Sequence, residues 1–234
     1  MYPELKKFIG EEKVTNIEKE LLSEDPDIFH NFDEKRSKGE NESYISSLIR
    51  QDSIKEFIIY VNQHNISLSE TKIHDSTFET NQFLIGKTHS LIEYSAFFGS
   101  LQIFQYLRIN DIELKPSLWL YAIHGNNAEL IHHLENNKID PPNRNYEICL
   151  FESIKCHHND IAIYILNNIL ETKMTDEIVS CFFKYYNYSN ISNKSIESNE
   201  LYYICRYSYQ TLCNLYIKMK ENEIKAKIIQ NHNC

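Results

Sequence analysis

The sequence predicts an all-α protein: a short solenoid of stacked helix-turn-helix repeats closed by a helical cap at each end. Three observations carry this expectation. Only 5 Gly and 5 Pro occur in 234 residues, too little punctuation for a fold of many strands and tight turns. Apolar residues recur at i, i+3, i+4 and i+7 in short segments, the spacing of amphipathic helices. Related segments also repeat: Ala96 and Ala122 lie 26 residues apart, as do Gly99 and Gly125. A unit that short cannot bury its own apolar face, so it must stack on its neighbours.

The elements follow in order. Residues 1–42 form an N-terminal helical cap and charged loop. Leu5, Phe8, Ile9, Ile17, Leu21 and Leu22 line the apolar side of a helix or helix pair over 1–24, and 25–42 is charged and rich in breakers. Residues 43–187 hold the repeats. The first helical pair spans 43–68, and a long connection follows over about 69–77. The two best copies come next, then helices over about 145–157 and 159–170. Thr175 supplies an N-cap for the segment after them. Residues 188–200 are poor in apolar side chains and predict a flexible loop. Residues 201–234 predict a C-terminal repeat or capping helix that becomes charged after Lys218.

Within the repeats, "SLIEYSAFFG" from Ser90 and "PSLWLYAIHG" from Pro116 are followed by "SLQIFQYL" and, with one extra residue, "NNAELIHHL". Each unit closes alike: Ile66, Ile112 and Ile139 stand five residues past Val61, Leu107 and Leu134. Ala96 and Ala122 fall where neighbouring helices approach closely. Gly99 and Gly125 fall between helices, where a positive φ is expected. In the other copies Asn, His or Ser stands near that spot, and Asn tolerates the left-handed conformation.

These residues resemble the ankyrin repeat, roughly T-P-L-H-L-A-A-x-x-G-H-L-E-I-V-x-x-L-L. Ser90 stands at its Thr, Leu91 at its Pro, Ser95 and Ala96 at its Ala pair, Gly99 at its Gly, Ile103 and Phe104 at its Ile-Val, and Leu107 at its Leu. Pro116, Leu118, Ala122 and Gly125 fill matching places in the next copy. The run from Leu91 to about Ile165 is closer still to a divergent ankyrin-type family expanded in some protozoan parasites. The chain departs from the pattern at the His, which is Glu93 or Trp119, and its repeat is shorter than the usual ~33 residues. The resemblance implies a concave surface lined by the two positions after the Ala pair and by the residue before the Thr. Carried over, these are His89, Phe97 and Phe98; Lys115, Ile123 and His124; and Lys155 and Cys156. Phe97 and Phe98 are either exposed anchors of an interface or core residues beneath a folded-over loop.

Composition narrows the function. A net charge of -9 argues against a basic surface for nucleic acid. The start carries charges and no apolar core, unlike a secretory signal, and no apolar run has the length of a membrane span. These features predict a cytoplasmic protein with reduced cysteines that pack as small apolar side chains. His132-His133 and His157-His158 invite a metal reading, but neighbours on a helix point about 100° apart and cannot chelate alone. No metal or cofactor is expected. A Cys156–His nucleophile has no supporting signature, and no phosphate loop, H-E-x-x-H or G-x-S-x-G occurs, so no enzyme is expected. The aromatic run "CFFKYYNY" fits the filling of a helix stack better than a sticky patch. The function expected is therefore a protein-binding or scaffold module acting through its concave face. The alternative is a structural subunit embedded in a larger assembly, such as a cytoskeletal one. Oligomeric state is left open.

Overall fold

The computed structural model describes residues 8, 10–24 and 29–187, with isolated positions between 202 and 221. The loop expected over 188–200 and most of the cap expected over 201–234 lie outside the described residues. Helix α1 (Glu11–Glu24) and helix α2 (Phe32–Lys38) precede four helix pairs. The pairs are α3 (Tyr44–Arg50) with α4 (Ile54–Gln63), α5 (Leu91–Phe98) with α6 (Leu101–Ile109), α7 (Leu118–His124) with α8 (Ala128–Asn136), and α9 (Tyr146–Lys155) with α10 (Asn159–Tyr164). A π-turn over Ile165–Ile169 extends α10, and α11 (Asp176–Lys184) follows. Strands β1 (Lys72–Ile73) and β2 (His89–Ser90) pair antiparallel, Lys72 opposite Ser90 and Ile73 opposite His89. Among the described residues the fold is all-α apart from that ladder. None of the described helices is long and apolar enough to cross a membrane.

The first helices pack in series: α3 on α5, α5 on α7, α7 on α9, and α9 on α11. Each also packs on its own second helix, and one continuous core runs through them, from Leu48 and Ile49 to Phe182. Their shared capping chemistry explains the repetition. Asp52, Gly99, Asn126, His157 and Tyr186 all take positive φ just past a first helix, between 48° and 67°. The amide of each donates to the carbonyl three residues back, and the following amide reaches five back: Ser53 to Leu48, Ser100 to Ser95, Asn127 to Ala122, His158 to Ser153, Asn187 to Phe182. This is the double hydrogen bond of a Schellman turn, which satisfies carbonyls a helix end leaves orphaned.

Three second helices end the same way. Asn65, Asp111 and Lys138 are left-handed, and the amides of Ile66, Ile112 and Ile139 donate to the carbonyls of Val61, Leu107 and Leu134 at 2.9, 3.2 and 3.0 Å. The five-residue spacing seen in the sequence is thus the closing bond of a turn, with the isoleucine folded back on the core.

The structure corrects the repeat register by one residue. Ser90 and Ser117 both stand at N-cap positions, and Leu91 and Leu118 both open helices. Tyr94 and Tyr121, like Leu107 and Leu134, are also 27 residues apart. In this register no extra residue is needed, and Asn126 rather than Gly125 matches Gly99. Gly125 accordingly has φ -72°, against the expectation of a positive value. It is required for space instead: a Cβ there would lie 2.4 Å from the carbonyl oxygen of Phe97 and 2.8 Å from that of Ala96.

Two further expectations change. The region 25–42 is not all loop, because α2 forms within it. Asp33 and Glu34 sit in its first turn and basic residues in its last, which suits the helix dipole. Phe32 docks edge-on against Phe78, ring centroids 5.4 Å apart. That contact is tertiary, which is why periodicity missed the helix. The connection after the first pair is also folded down as a strap over 74–88. The Asn41 side-chain amide donates to the His74 carbonyl at 2.8 Å, Thr80 donates through its amide and hydroxyl to the Gly39 carbonyl, and Phe78 and Leu84 are buried.

Candidate functional site

The C-terminal ends of α5, α7 and α9 lie side by side. In the corrected register Phe97, His124 and Lys155 are equivalent, and Phe98, Gly125 and Cys156 stand one residue on. Four polar side chains meet at this edge. His124 Nε2 lies 2.7 Å from Glu152 Oε1. Lys155 Nζ donates to the same oxygen at 2.8 Å. Cys156 Sγ is 3.4 Å from His124 Nδ1 and 3.7 Å from Nε2. Glu152 and Cys156 share a face of α9 because they are one turn apart. Phe83 of the strap stacks on the His124 ring at 3.8 Å between centroids, and Lys87 Nζ sits 4.6 Å from the Phe83 ring centroid. The His124 and Glu152 side chains keep 13% and 20% of their surface exposed.

The electrostatics follow from this packing. The His124 hydrogen bond, aided by Lys155, holds the Glu152 carboxyl down at about 2 against the opposing effect of burial. An ionised carboxylate only accepts, so His124 carries its proton on Nε2. Burial first, and Glu152 second, push the Cys156 thiol up to about 11. A sulfur in line with the Nδ1 lone pair would be much farther from Nε2 than from Nδ1; the near-equal distances put it against the ring instead. A protonated thiol in that position lacks the thiolate character a nucleophile needs.

The Glu152 arrangement sets a pH dependence. A carboxyl whose folded pKa is depressed contributes stability that is present above its ordinary value of 4.5 and is lost as pH falls through about 2. Acid unfolding followed by circular dichroism should show that loss in the wild type. Glu152→Gln should flatten the curve in this window; an unchanged slope would mean the carboxylate is not engaged in the folded state.

The expected surface residues divide. His89 (2% exposed), Phe97 (8%) and Ile123 (0%) are buried, which corrects the placement of His89 and Ile123 on an accessible face and makes Phe97 the core residue of its two alternatives. His89 is held between the Tyr121 hydroxyl at 2.7 Å and the Leu84 carbonyl at 2.9 Å. Phe97 is stacked under Phe83, planes 8° apart. Ile123 belongs to the core between helix pairs. Phe98 is half-buried against Tyr94, with the Arg50 guanidinium 5.9 Å from its ring centroid. Lys115 is exposed but lies apart, beside Lys72 and Glu93. His124, Lys155 and Cys156 come together. Glu152 and Phe83 were missed. The i, i+4 spacing to Cys156 could have pointed to Glu152, whereas no local pattern marks Phe83. His132 contacts Tyr164, and His157 Nε2 reaches the Tyr185 carbonyl at 2.9 Å, so both have structural partners. Comparisons with family models, curated proteins and solved structures gave no match.

Proposed function

We propose that the chain is a non-catalytic recognition module, an ankyrin-like stack of helix pairs that binds a protein partner at the shared edge of its first helices. The observation that carries this reading is the row at that edge. Arg50, Phe98, His124, Lys155 and Cys156 follow one another on successive packed helices, and Phe83 and Lys87 of the strap complete it. Half-exposed aromatic rings under cationic side chains supply apolar area and charge on a rigid support. Such a surface binds with little ordering cost. The rows of repeated turns support the ankyrin-like reading, and the buried Phe97 serves as its foundation.

The test is a pull-down from source-cell lysate with wild-type chain and a Phe98→Ser, Lys155→Glu variant, followed by affinity measurement on the purified partner. Phe97 is left intact because it is core. A folded variant should bind at least ~10-fold more weakly, the effect of losing a hot-spot residue. Equal affinity would sink this face as the interface. The second reading, a subunit embedded in a larger assembly, is favoured by Ile59 (54% exposed), Ile109 (75%) and Ile163 (41%) on the second helices. Self-association or instability of the isolated chain would support it.

A further inference from the structure

The geometry points to a binding site for a thiophilic divalent cation of the zinc class, held by the sulfur of Cys156, a ring nitrogen of His124 and the carboxylate of Glu152. The donor atoms lie within 4.8 Å of one another, on the ends of α7 and α9, which pack together. Zinc bound tetrahedrally at about 2.0–2.3 Å spaces neighbouring ligands about 3.3–3.6 Å apart. The sulfur, now against the ring face, is 3.4 and 3.7 Å from the two nitrogens, one distance inside that spacing and one just beyond it. The His124–Glu152 distance of 2.7 Å must open by about 0.6 Å as the ion replaces the shared proton. A turn about χ1 of Cys156 carries the sulfur off the ring and towards the gap. Lys155, on the exposed rim, gives up Glu152 and turns to solvent.

The donor set selects the ion class. One sulfur, one imidazole and one carboxylate suit zinc and its neighbours, while calcium and magnesium require oxygen ligands. Coordination forms metal–sulfur, metal–nitrogen and metal–oxygen bonds. The thiol proton leaves to solvent, the imidazole proton moves to the other ring nitrogen, and no redox change occurs. Three protein ligands leave the fourth position for water. Support comes from the ring's surroundings: Phe83 packs on its face, so the end of α7 is held in place.

The test uses the full chain, reduced with a phosphine, titrated with Co²⁺ and then displaced by Zn²⁺. The expected result is about one equivalent bound, with a thiolate-to-cobalt charge-transfer band and tetrahedral visible bands. Cys156→Ser should abolish the charge-transfer band, and Glu152→Gln and His124→Gln should weaken binding at least ~10–100-fold. Circular dichroism establishes that each variant is folded. Absence of the band in the wild type, or the same band in every folded variant, overturns the proposal, the latter assigning the metal to other thiols.

Discussion

Trp119→Ala should lower stability by about 3–5 kcal/mol, the range for removing a fully buried tryptophan, and reduce the melting temperature by about 10 °C. The side chain is 0% exposed and joins three elements. It starts on α7, stands edge-on to Tyr146 of α9 with centroids 5.2 Å apart, and donates through Nε1 to the carbonyl of Ile139 at 2.8 Å. The amide of the same residue closes the turn after α8, so the indole ties one helix pair to the next through both ring and hydrogen bond. Trp119→Phe separates the two contributions: it keeps most of the apolar area and loses the donor, at a cost of about 1–3 kcal/mol. Urea unfolding monitored by circular dichroism measures both. A loss below about 1 kcal/mol for Trp119→Ala would place the indole outside the core.

Gly125→Ala should be the most damaging methyl addition among the five glycines, costing about 3 kcal/mol. At φ -72° alanine has no backbone penalty, and on propensity alone it would stabilise by up to ~1 kcal/mol. The sign of the effect therefore decides between local preference and packing. Packing should win, because the new carbon would meet backbone oxygen of Phe97 at 2.4 Å, and backbone cannot rotate aside. Helices α5 and α7 would have to separate along the interface that positions Phe97 and His124. Gly99→Ala gives the contrast. There the strain is a positive φ of 67° and the nearest neighbour is the movable side chain of Asn127, so a loss of about 1–2 kcal/mol is expected. If Gly125→Ala stabilises the protein in thermal melts, the close approach of α5 and α7 is not a feature of the folded chain.

Much of this architecture is legible in the sequence because it is local. The spacing from Val61, Leu107 and Leu134 to an isoleucine is set by one turn, and the Thr175 cap is confirmed by its side chain accepting from the Ile178 amide. The one-residue error at Gly125 arose because glycine serves two purposes. A sequence shows that the residue is small, not whether a turn or a neighbouring backbone requires it. The candidate site was legible only in part. His124, Lys155 and Cys156 came from the ankyrin resemblance, and these three do converge. His89 was misplaced, and Phe97 proved to be the core residue of its two alternatives, because the strap over 74–88 covers both. Its docking rests on residues far apart in sequence, such as Asn41 with His74 and Phe83 with His124, which no periodicity encodes.

The strap has a further consequence, for how the molecule opens. It links the residues around Gly39 to α5 and α7, whereas α9 and α11 pack chiefly along the series, α9 on α7 and α11 on α9. Cooperativity is therefore unevenly distributed. The segment from α2 to α7 is expected to open as one foldon, because the strap holds residues at both of its ends, from Phe32 and Gly39 to Tyr121 and His124. The far end is tied differently: Ser180 Oγ of α11 lies 3.1 Å from the Tyr207 hydroxyl, and Phe183 stacks on Tyr203. Outside the strap's reach, the amides of α10 and α11 should exchange at a lower opening free energy than those of α5 and α7, which native-state hydrogen exchange would read.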